Sequence, residues 1–121
     1  MIIEGEVRNE DSTAEVTSKW TYNLDDPLAV RVEFLENEVA WVFSVELLAE
    51  AFTSPVEKLH GFGDVQIEVG EEHAFLYLTN GRSSATLKFP SQDIREFLNQ
   101  VDDLGVEEAI ARELDDFLET L

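Results

Sequence analysis

The chain has 121 residues, enough for one domain that buries roughly two thirds of its unfolded surface. With 8 Lys plus Arg against 27 Asp plus Glu, its net charge of −19 speaks against tracking a phosphate backbone or an anionic membrane. The absence of cysteine excludes disulfides and thiolate metal sites, and no apolar run reaches 18 residues, so no membrane-inserted segment is expected. The amino terminus lacks the basic flank and apolar core of a secretory signal, which makes a cytoplasmic protein the expectation. The acids run from Glu4 to Glu119 without forming a tail. They read as a solvated, self-repelling surface, with salt adaptation or a basic partner as alternatives.

Residues 2–8 alternate, Ile3, Gly5 and Val7 against Glu4 and Glu6, and predict an edge strand. After the turn cluster at residues 9–12, Ala14, Val16, Trp20 and Tyr22 share one face of a second strand. Asp25, Asp26 and Pro27 end it, since proline restricts its predecessor and donates no hydrogen bond. Val30, Val32 and Phe34 define a third strand. Val39 to Phe43 is an uninterrupted apolar run and predicts a strand buried on both faces. At Ser44 the period changes: Ser44 caps a helix with Glu46 in its first turn and Val45, Leu48 and Phe52 at helical spacing, stopped by Pro55.

The second half repeats that order. Val65, Ile67 and Val69 alternate, and Ala74, Leu76 and Leu78 oppose Phe75 and Tyr77. Asn80-Gly81 predicts a two-residue type I′ turn, and Ala85, Leu87 and Phe89 line the return strand. Pro90-Ser91 starts a helix capped by Ser91, with Ile94, Phe97, Leu98 and Val101 inward. After Leu104-Gly105 a last helix, about residues 106–119, carries the stripe Val106, Ile110, Leu114, Phe117, Leu118 and Leu121. Glu107, Glu108, Glu113, Asp115, Asp116 and Glu119 lie off it. The expected fold is a single α+β domain, residues 1–121, with two antiparallel β-sheets each followed by helix.

Reactive chemistry finds little support. Gly61-Phe62-Gly63 precedes a strand and lacks a third glycine, so it reads as a tight turn and not a dinucleotide loop. His60 and His73 have no nameable metal or triad partners and read as exposed or strand-end histidines. Asp64 reads as a residue that binds the backbone of its own turn. No serine stands in a nucleophile motif, and the paired acids lack calcium-loop spacing. No cofactor or metal is expected, and a small acidic enzyme has no site to point to. Trp20, Tyr22, Phe75 and Tyr77 are strand aromatics of the kind that stack bases, but without basic neighbours they read as core or interface.

Three stretches together resemble the SsgA-like family of sporulation and cell-division proteins: Asp26-Pro27-Leu28-Ala29-Val30-Arg31, Trp41-Val42-Phe43-Ser44-Val45-Glu46-Leu47-Leu48, and Gly63-Asp64-Val65. The likeness is strongest over residues 14–101 and includes Phe97-Leu98. It departs at Val45, Glu46 and Ala51, where arginine, aspartate and glycine are usual. The resemblance is to SsgB-type members. It implies a Whirly-like β-β-β-β-α repeat assembled as a homotrimer, and a non-enzymatic regulator of septum placement found at division septa. Its implied partners are another SsgA-like protein or the tubulin-like GTPase FtsZ. A Whirly-like single-stranded nucleic-acid-binding module is the alternative, which the charge opposes. Trp41, Phe43, Leu47, Leu48, Gly63 and Val65 are expected as buried scaffold. Partner contacts are expected on exposed parts, at His60 and Phe62 or at Glu113 and Asp116.

Overall fold

The computed structural model describes residues 1–9, 11–53, 58–61, 63–103 and 106–120, and among these the side chains of 103 and 106–110 are not characterised. Its elements are β1 (Ile2–Arg8), β2 (Thr13–Tyr22), β3 (Ala29–Phe34), β4 (Val39–Ser44), α1 (Val45–Thr53), β5 (Leu59–His60), β6 (Val65–Val69), β7 (His73–Thr79), β8 (Ser84–Pro90), α2 (Ser91–Asp103) and α3 (Val106–Glu119). The predicted β-β-β-β-α order occurs twice, completed in the second half by the two-residue β5 that alternation alone is too short to reveal.

The two expected sheets are one. All eight strands form a single antiparallel sheet in the order β4-β3-β2-β1-β8-β7-β6-β5. The join is β1, expected at an edge but found in the middle. It pairs with β2 from Ile2 to Arg8, and with β8 only through Glu6↔Lys88, Val7↔Leu87 and Arg8↔Thr86. Gly5 lies where β1 parts from β8. A Cβ there would sit 2.5 Å from Phe89 Cδ1 and 2.6 Å from the Lys88 carbonyl oxygen. The missing side chain therefore lets two backbones close over the Phe89 ring.

The sheet curls around its core, and α1 shows how far. Leaving β4 at one edge, α1 packs against β5 and β6 at the other. Ser44 Oγ accepts a hydrogen bond from Leu47 N at 3.2 Å, the predicted cap. Ser91 does something other than cap: its buried hydroxyl donates to the Gly70 carbonyl at 2.9 Å and its N–H to Glu72 O at 3.0 Å. These two bonds tie the start of α2 to the β6–β7 turn. Arg95 of α2 sits over the Phe52 ring of α1, 5.1 Å from its centroid.

Trp20 is the centre of the core and fully buried. Its ring meets Phe43, Phe89 and Phe97 edge-on at 6.3, 5.5 and 5.6 Å. It thereby joins β4 of the first half to β8 and α2 of the second. Its indole N–H donates to Ser18 Oγ at 2.9 Å, and that hydroxyl donates to Ile3 O at 2.7 Å, so the polar atoms of these two buried side chains are satisfied.

Two further expectations change. The apolar run at Val39–Phe43 is an edge strand and not one covered on both faces. Phe43 is buried, Trp41 is half-buried, and Val39 and Val42 are 45% and 58% exposed. A run of apolar letters does not reveal whether a partner strand exists on the far side. The β7–β8 turn is a four-residue loop, closed by Thr79↔Ser84 and by Asn80 N donating to Ser83 O at 3.1 Å. Asn80 Oδ1 accepts from Arg82 N and Ser83 N, and only Gly81 takes the left-handed φ, +88°.

Candidate functional site

His60 is buried, 5% exposed, on β5. Its Nδ1 lies 3.8 Å from Glu50 Oε1 of α1, and its Nε2 has no hydrogen-bond partner among the described residues. With its ring buried, His60 offers little to a docking protein. Phe62 and Pro55 lie outside the described residues. Glu113 and Asp116 are exposed on α3, as expected. Glu113 also acts at a distance: the Tyr22 phenol is pushed above its ordinary range, first by burial, then by the negative charges of Asp26 and Glu113.

The family-motif residues fare better as scaffold. Phe43, Leu48 and Val65 are buried, while Trp41 and Leu47 are half-buried and pack against the core edge. Gly63, expected as buried scaffold, is instead exposed; it and Gly61 take φ of +84° and +86°, a left-handed backbone that glycine adopts without steric cost. The Asp64 carbonyl accepts from Thr79 N at 3.0 Å, a cross-strand bond.

The four strand aromatics separate. Trp20 is core, and Tyr22 is half-buried with its hydroxyl donating to Pro27 O at 2.9 Å. Phe75 and Tyr77 sit on the opposite face of the sheet, their ring centroids 6.5 Å apart and their planes within 20°. Tyr77 donates to Glu68 Oε1 at 3.0 Å, and burial, with that carboxylate second, raises its phenol pKa. These two rings have basic neighbours after all. Lys88 stands directly opposite Phe75 across β7 and β8. Arg8 of β1 and Arg82 of the β7–β8 loop line the same shallow groove, of about 760 Å³, together with Thr86 and Asp11. In a chain with eight cations, three on one aromatic face is a concentration that the linear sequence conceals.

The other unsatisfied surface is α3. Leu114, Phe117 and Leu118, at i, i+3 and i+4, are 53%, 59% and 62% exposed, so this part of the apolar stripe faces outward. Glu113, Asp115, Asp116 and Glu119 surround it. Among the described residues there is no cluster of metal-ligating side chains and no helix long and apolar enough to cross a membrane.

One curled eight-stranded antiparallel sheet with three helices defines an α+β protein. Residues 16–119 match the family model described as Streptomyces sporulation and cell division protein, SsgA. The chain belongs to the SsgA family. Two solved structures share the fold. One is reported with SsgB mutations that correlate to longitudinal cell division during sporulation of Streptomyces coelicolor. It is 24% identical, with a TM-score of 0.79 over 93% of this chain and 91% of that one. The other is the SsgA-like sporulation-specific cell division protein of Thermobifida fusca YX-ER1. It is 22% identical, with a TM-score of 0.77 over 100% of this chain and 93% of that one. No curated protein sequence matches.

Proposed function

We propose that this chain is a non-enzymatic adaptor that helps position the division septum during sporulation, acting as a homo-oligomer, with a trimer as the expected state. The observation that carries this reading is the family match over residues 16–119. The exposed Leu114, Phe117 and Leu118 stripe supports the oligomeric part, because contiguous exposed apolar surface marks an interface. The partners this reading names are another SsgA-family protein and FtsZ, met in the cytoplasm at future septa. Glu113 and Asp116 are the predicted partner-facing residues that the fold leaves exposed.

Light scattering at micromolar concentration should give about three times the 13.7 kDa chain mass; a clean monomer contradicts the oligomeric half of the proposal. A labelled single-stranded oligonucleotide should not bind in roughly 0.15 M salt, since stacking needs an electrostatic groove and the whole molecule carries −19. Micromolar affinity there would revive the nucleic-acid-binding reading.

A further inference from the structure

Two surfaces in this chain lack partners, and they are chemically opposite. One is the face formed by Phe75, Tyr77, Arg8, Arg82 and Lys88, an aromatic floor whose three cations stand beside Glu6, Asp11 and Glu68. The other is α3, an apolar stripe with an acidic rim, whose three large side chains are each more than half exposed.

We propose that α3 of one copy seats in the Phe75–Tyr77 groove of the next copy, a head-to-tail contact; the idea rests on the oligomeric reading above. Each partner supplies what the other lacks. Phe117, Leu114 and Leu118 cover the two aromatic rings, as an amphipathic helix fills a groove. Glu113 and Asp116 on the rim meet Arg8 and Arg82, whose planar forks match carboxylates. Charge narrows the choice of face further. Two copies of net charge −19 repel each other over most orientations. Elsewhere Arg31 pairs with Glu33 at 2.9 Å and Arg95 covers Phe52, while Lys19 and Arg112 enter no ion pair among the described residues. Arg8 holds Glu6 only at 3.4 Å, with both side chains over 40% exposed, and among the described residues Arg82 and Lys88 enter no ion pair. Because the contact joins two different patches, it propagates around a ring and closes when the rotation permits.

The test uses full-length chains in which only exposed residues change. R8E/R82E spoils the groove and leaves the helix intact, while F117D/L118D spoils the helix and leaves the groove intact. The mass of the unmodified chain is read first. If it is a monomer at high concentration, the oligomeric reading falls and this contact with it. If it is an oligomer, each double variant alone should scatter as a 13.7 kDa monomer. A one-to-one mixture should then yield a species of twice that mass, since one sound groove meets one sound helix and growth stops there. Two results would overturn the contact while leaving the oligomer standing: either variant keeping the parental mass, or the mixture staying monomeric.

Discussion

Trp20→Ala should destabilise the fold by about 3–5 kcal/mol, the range for removing a fully buried large aromatic. The melting temperature should fall by roughly 10–20 °C in a domain of this size. The size of the effect follows from position. Trp20 touches Phe43, Phe89 and Phe97 together, so its removal opens a cavity between the two halves. It also leaves the buried Ser18 hydroxyl without its indole donor. Trp20→Phe should cost less than half as much, because a ring is retained and only the hydrogen bond and part of the volume are lost. Thermal denaturation of the three proteins checks this. An alanine variant within about 1 kcal/mol of the parent would mean that the halves do not share a core.

Gly5→Val should be the next most damaging change, about 1–3 kcal/mol or more from overpacking. Even the Cβ would come within 2.6 Å of the Lys88 carbonyl, and a backbone neighbour cannot step aside as a flexible side chain can. The damage should fall on the β1–β8 seam, which rests on three residue pairs. Hydrogen exchange of Val7, Arg8 and Leu87 amides should therefore accelerate more than that of the β6–β7 pairs around Ile67 and Leu76. Uniform acceleration across all strands would contradict a localised seam.

That seam is also where the sequence was least legible. Alternation in residues 2–8 reveals a strand with Ile3, Gly5 and Val7 inward, and the structure agrees, but periodicity carries no information on which strands flank it. Nothing in the spacing says that β1 meets β8, some 80 residues away, so two sheets were expected where there is one. The same blindness hid the basic groove, through a specific step. A two-residue turn at Asn80-Gly81 sets Thr86 opposite Phe75. The four-residue loop shifts β8 by two positions and sets Lys88 there instead. Arg8 then arrives from β1 through the unforeseen pairing Arg8↔Thr86.

Several local signals read correctly from the chain, although the Ser91 cap and the two-residue Asn80-Gly81 turn did not. Ser44 caps α1, Pro27 follows the end of β2, and Gly61 and Gly63 take the left-handed conformation that their turn requires. Val39–Phe43 failed because burial depends on neighbours the run does not name. His60 failed for a related reason: a polar letter in a two-residue strand gives no hint that its ring turns inward.

The central claim is that this SsgA-family chain works by being at the septum and binding there. A fluorescent fusion expressed from the native locus in the source cell tests it directly. The fusion should gather at future septa before constriction begins, and deletion of the chain should misplace or abolish those septa. Signal that stays diffuse throughout division, with septation unchanged after deletion, would contradict the account.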